Sequence, residues 1–161
     1  MDFSLSALLI AIGYCLISLV IAGTSGSKED KEWFASLKHP DNSFLLKIMN
    51  ILGVIVYLLF GFVLYNLLVI GDITPIVLMS LIILLNGLSP YLKYKTKNLK
   101  LFFFAMLIFP ILLSVLIFLL FQTNVIMAIP LIVFLLWVLY DVSYYYRLFK
   151  LNKLSPHTLK R

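Results

Sequence analysis

The stretch Leu101–Tyr140 reads LFFFAMLIFPILLSVLIFLLFQTNVIMAIPLIVFLLWVLY and carries no charged residue. It is about twice as long as the ~20 residues with which an α-helix crosses a ~30 Å hydrocarbon core. Three consecutive polar side chains, Gln122-Thr123-Asn124, interrupt it near the middle. The stretch therefore predicts two helices, 101–121 and 125–148, joined by a tight turn. In hydrocarbon every backbone N–H and C=O must find an internal partner, which leaves helices or a closed barrel. Barrel strands alternate polar and apolar residues over roughly ten positions. This run is continuous, so it reads as helix.

The same test, applied outward, finds three more uncharged runs: Phe3 to Ser27, Ile48 to Gly71 and Ile73 to Leu92. They predict helices 3–23, 48–70 and 74–92, with residues 24–47 as the longest connection. The hydrophobic share is 63% and charged residues are 12%, about half the share usual in soluble domains. The expectation is an all-α membrane protein: one domain over 1–161, built as a five-transmembrane-helix bundle. The opening Met1-Asp2-Phe3 has no basic region, and the first apolar run exceeds the 7–15 residues of a signal-peptide core. It reads as a retained helix. Cys15, the one cysteine, falls inside it and reads as a packing residue.

The basic residues set an orientation. With five spans, loop 24–47, loop 93–100 and the C-terminal tail share one side. All thirteen lysines and arginines fall in those segments, from Lys28 to Arg161, whereas Asp2 and Asp72 mark the other side. The positive-inside rule then predicts a cell-membrane protein with its N-terminus outside and C-terminus inside. The net charge of +6 belongs to the lipid interface, where each basic residue attracts anionic headgroups by roughly 1 kcal/mol. Basic residues that only flank helices do not form a nucleic-acid surface.

Within the spans, Pro110 and Pro130 predict local kinks, and Pro75 begins a helix where its missing N–H costs little. Asp141 stands alone in the fifth predicted helix, where an intramembrane charge costs at least ~2.5 kcal/mol near the bilayer centre. Trp137, Tyr144 and Tyr145 lie three or four positions away on the same face. The two tyrosines are placed to hydrogen-bond the carboxylate; the alternatives are a protonated Asp141, a structural polar lock between helices, or a side chain that reaches the cytoplasmic interface. Asn86 is expected to bond to a neighbouring helix. Tyr144, Tyr145 and Tyr146 with Arg147 suit an aromatic belt, and Val142–Arg147 fits a loose sterol-contact pattern. Tyr146 and Lys150 are the lipid or sterol contacts expected there. His39 and His157 lack further ligands at metal spacing, and no nucleophile–base set or phosphate loop can be assembled. No enzymatic activity, metal or cofactor is expected.

The order of parts resembles the TspO/MBR family, the tryptophan-rich sensory and translocator proteins. Trp33-Phe34-Ala35-Ser36-Leu37-Lys38-His39-Pro40 is similar to its W-Y-x-x-L-x-K-P loop motif. Tyr57 and Gly61 fall on its L-Y-x-x-x-G, and Leu85-Asn86 on its helix-three L-N. Trp137 and Leu151-Asn152 fall on its helix-five tryptophan and closing L-N, with the same spacing. The sequence departs from the family where Asn42, Phe44, Leu45, Lys47 and Gly53 replace tryptophan or proline in the loop. It departs again where Ser89 and Tyr145 replace a tryptophan and an asparagine, and where Asp141 replaces a small residue.

The resemblance implies a membrane receptor for a hydrophobic small molecule, tetrapyrrole-like (porphyrin or haem) or sterol-like, in sensing or transport. It implies a pocket between the first, second and fifth spans, with loop 24–47 as its lid. Trp137 would be an aromatic wall, Asp141 and Asn86 polar contacts, and Met49, Asn50 and Tyr57 the lid side. A homodimer is also implied, although the third helix has no clear stripe of small residues. Two other readings are a small transporter coupled through Asp141 and a ligand-free subunit of a membrane assembly.

Overall fold

The computed structural model describes residues 3–40 and 43–153, with the side chains of residues 43–52 outside that description. Seven helices follow in chain order: α1 (Leu5–Thr24), α2 (Lys28–Ser36), α3 (Ser43–Ile70), α4 (Ile73–Thr96), α5 (Leu99–Met106), α6 (Ile108–Thr123) and α7 (Val125–Lys153). Among the described residues no strand forms. Five segments are long and apolar enough to span a bilayer: α1, the Gly53–Ile70 part of α3, α4, α5 with α6, and α7. Leu58, Ile111, Phe118 and Leu136 point outward at 62–70% exposure. Water would penalise such a surface; lipid covers it without cost, and the chain is a multi-pass integral membrane protein.

Inward positions repeat at helical spacing. Phe60, Leu64 and Leu67 of α3 meet Leu113, Leu116 and Leu120 of α6 and Leu131 of α7 in one buried core. Phe60 packs edge-on against Phe134, with ring centroids 4.8 Å apart. α1 lies against α3 and α4, and α7 against α5, α6 and α3. α1 and α4 approach tightly at Ser18 and Gly87. Ser18 donates its hydroxyl hydrogen to the Ile83 carbonyl, and a Cβ on Gly87 would stand 2.7 Å from the Ser18 carbonyl oxygen. Only glycine allows α4 to come so near.

Turn chemistry closes the ends. Gly71 takes a positive φ of 81°, and Asp72 then caps α4 by accepting from the Thr74 N–H. Lys97 ends α4 in the left-handed region at φ 47°, and Asn98 caps α5. The expected helix 101–121 is instead two pieces that meet at Leu107. Pro110 is the cause: it has no N–H for the Met106 carbonyl one turn back, so the ladder restarts at Ile108 and the proline sits in a first turn. Pro130, by contrast, is carried inside a continuous α7. α3 begins at Ser43 and α7 continues to Lys153, each about one turn longer than the expected 48–70 and 125–148. At 1.5 Å per residue α7 runs about 43 Å, longer than the ~30 Å apolar slab.

The connection 24–47 holds a helix of its own. Ser27 and Asp30 form a reciprocal capping box at the start of α2. This short helix is amphipathic, contains no fully buried residue, and packs against α4.

Candidate functional site

A cavity of about 420 Å³ lies within the bundle beneath α2. Its walls come from every span. α1 gives Leu19, Ala22 and Gly23. α3 gives Gly53, Val56 and Tyr57. α4 gives Asn86, Ser89, Pro90, Lys93 and Tyr94, and α5 gives Phe102 and Met106. α7 gives Phe134, Trp137, Val138, Asp141 and Tyr145. The α1–α4 approach at Gly87 sets Asn86 and Ser89 beside the end of α1. Tyr57, Asn86, Trp137 and Asp141 are thus brought to one chamber, although they are scattered over 85 positions of sequence. The side chains of Met49 and Asn50 lie outside the described residues. Tyr146 and Lys150 are elsewhere: both are exposed on the outer face of α7, with the Lys150 ammonium 4.8 Å from the Tyr146 ring.

Two buried side-chain atoms among the described residues lack any hydrogen-bond partner, the Tyr57 hydroxyl and Asp141 Oδ1. Both residues line this cavity. Buried polar atoms are nearly always paired, and an unpaired one costs about 1–3 kcal/mol. The expectation that Tyr144 and Tyr145 hold the Asp141 carboxylate is not met. Tyr144 turns to His39, 2.7 Å from its Nδ1, and Tyr145 packs edge-on against Phe102 at 4.7 Å. Asn86 lines the cavity with Tyr57 of α3, and its backbone carbonyl accepts from the Ser89 hydroxyl within α4.

Two lysines also line the cavity, Lys31 of α2 and Lys93 of α4, both expected only at the lipid interface. Lys93 stands two helical turns beyond Asn86, on the same face of α4. Its ammonium lies 4.3 Å from the centroid of Phe34 in α2, 4.6 Å from Tyr94 and 5.8 Å from Tyr145. Ring faces attract a cation without neutralising it. The two ion pairs among the described residues, Lys28–Glu32 and Lys97–Asp30, leave it out. The chamber therefore offers an acid and a base that are not joined to each other.

The covering segment is latched at three points. Asp30 reaches Lys97 at 3.1 Å. The Lys97 ammonium, with the Ser27 N–H and hydroxyl, holds the Asp30 carboxyl below the usual carboxylate range. His39 bridges the Phe34 carbonyl and the Tyr144 hydroxyl. The Asn152 side chain accepts from the Lys38 N–H and donates to the Lys38 carbonyl, each at 3.1 Å. The loop motif and the closing Leu-Asn pair noted in the sequence thus meet across 114 positions. Lys93, Phe34 and His39 were absent from the expected site. Helical spacing from Asn86 was signal enough for Lys93; nothing in the sequence announced the pairing of His39 with Tyr144. Among the described residues no cluster suited to a metal ion forms.

The family model described as TspO/MBR family matches residues 8–150. Among curated proteins, none matches the chain.

Proposed function

The chain belongs to the TspO/MBR family, and from that membership we propose that it is a membrane receptor whose ligand, a hydrophobic small molecule, occupies the cavity beneath α2. The observation that carries this reading is that Tyr57 and Asp141, each with a buried and unpaired side-chain oxygen, line one and the same cavity. The volume of about 420 Å³ falls in the range of ligand pockets, ~300–1,000 Å³. Its walls are mostly apolar with a few convergent polar groups, the composition that gives a site both affinity and orientation. Trp137 supplies a flat face and Phe102, Phe134 and Tyr145 its surroundings, which suits an aromatic or polycyclic ligand. α2 acts as the lid, since Phe34 is the residue that closes over Lys93.

The same reading places the lid on the cytoplasmic side. α2, the α4–α5 junction and the end of α7 are joined by the Asp30–Lys97 and Lys38–Asn152 contacts, and these segments carry the described lysines and arginines. Tyr146 and Lys150 then meet headgroups of the inner leaflet. No reaction is proposed. Saturable binding of protoporphyrin or haem to the purified protein, read by quenching of Trp137, tests the receptor reading; binding unaffected by Asp141→Ala would argue that the ligand sits elsewhere.

A further inference from the structure

The cavity has a neighbour. It shares Leu19, Val54 and Tyr57 with a second hollow of about 370 Å³ between α1 and α3. That hollow is lined by Ile12, Leu16, Leu58 and Phe62, and among the described residues the hydroxyls on its wall are those of Tyr57 and Tyr65. Those four residues are exposed on the outside of the bundle, so in a bilayer the hollow opens onto lipid tails. A chamber containing an acid and an ammonium thus lies across a shared wall from an apolar groove on the lipid-facing surface.

We propose that the ligand is a single-tailed amphiphile that enters sideways from the bilayer, its head bearing both an ammonium and an acidic group. The head sits in the chamber and the tail lies in the α1–α3 groove. This rests on the receptor reading and narrows it to one chemical class. Asp141 Oδ1 lacks a donor, which a ligand N–H supplies. Among the described residues the Lys93 ammonium meets ring faces and no ion-pair partner, so a ligand acid group completes it. A ligand with two acids and no donor leaves Asp141 facing like charge, and a purely apolar one leaves both groups unpaired. Lipid tails are as apolar as the groove, so moving a tail from bilayer to groove gains little. The head therefore sets the affinity, and the groove sets the route and orientation.

The test uses the full chain in nanodiscs and a lysophosphatidylethanolamine carrying a photoreactive diazirine midway along its tail. The matched lysophosphatidylcholine probe keeps tail and phosphate, but its quaternary ammonium has no N–H. The expected result is saturable labelling of Ile12, Leu16, Leu58 or Phe62. It falls about tenfold with the choline head, and likewise in Asp141→Asn and in Lys93→Gln, as loss of a charged hydrogen bond predicts. Gly61→Leu tests the groove separately. A Cβ there meets only the Cys15 Sγ, at 3.6 Å, so a larger side chain grows into the groove and displaces the label. Circular dichroism and thermal unfolding of each variant show whether the bundle is still formed. Saturable porphyrin binding with lipid labelling that is unsaturable, or equal for both heads, overturns the amphiphile and leaves the receptor standing. If neither probe binds saturably, both readings fall.

Discussion

Asn152 at the end of α7 grips the backbone of Lys38 with both atoms of its amide, accepting from the N–H and donating to the carbonyl. The segment that follows the lid helix is thereby tied to the same helix that carries Asp141 and Trp137, so the lid and the cavity floor share one support.

Loosening that tie exposes the lid without dismantling the bundle. Asn152→Ala removes the two exposed bonds to Lys38, and a third to the Leu148 carbonyl, worth roughly 1 kcal/mol each. Hydrogen exchange at Lys38 and His39 is expected to quicken about tenfold or more, while the melting temperature moves little. His39→Ala acts on the same segment through Tyr144. If exchange is unchanged in both variants, the latch is not holding the lid.

The Asp30–Lys97 pair makes lid closure sensitive to acid in a defined direction. The Asp30 carboxyl is depressed in the folded protein, so its contribution is complete above the ordinary carboxylate pKa and is lost as pH falls through the lower folded value. Exchange protection of α2 is expected to be flat from pH 7 to pH 5 and to decline only in stronger acid. Asp30→Asn abolishes that decline, and high salt weakens the pair at neutral pH.

Packing at Gly87 should be intolerant. An alanine Cβ would meet the Ser18 carbonyl oxygen at 2.7 Å and Cα at 3.0 Å, both backbone atoms that cannot swing aside. Gly87→Ala is expected to destabilise the bundle by about 1–3 kcal/mol. Gly13, in the middle of α1, has nothing within 4 Å of its Cβ position, and Gly13→Ala should be neutral or stabilising by up to ~1 kcal/mol. Thermal unfolding in detergent compares them; equal losses would mean that the α1–α4 approach is looser than described.

A site that keeps polar atoms unpaired trades stability for binding. Tyr57→Phe removes a buried hydroxyl that has no partner. The empty protein should gain stability, by about 1 kcal/mol, while ligand affinity drops. A variant that lost both would assign Tyr57 to packing alone.

Much of the fold was legible because lipid imposes so few solutions. The charge-free runs fixed five apolar spans, and the Gln122-Thr123-Asn124 turn divided the longest of them. Pro110 suggests a kink, yet its effect reaches back one turn to end α5 at Met106, since the carbonyl that loses its donor precedes the proline. Four of the expected ligand contacts share the cavity because each sits on an inward face, a property that helical spacing reveals. Lys93 was misjudged because a lysine near a helix end is ordinarily drawn toward headgroups. Here the rings of Phe34, Tyr94 and Tyr145 hold it inward, and that depends on how α2 folds over α4. The partners of Tyr144 and Asn152 were equally hidden, because both lie more than a hundred positions away.

The central claim is that the cavity beneath α2 binds a ligand, and one titration tests it most directly. The chain has two tryptophans, so Trp33→Phe leaves Trp137, on the cavity wall, as the only one. Protoporphyrin is titrated into this variant while Trp137 emission is followed. The experiment is then repeated with Ser89→Phe added, which puts a ring into the chamber. The account predicts saturable quenching in the first protein and affinity weakened about tenfold or more in the second. Quenching that rises without saturation, or that is the same in both, would contradict it.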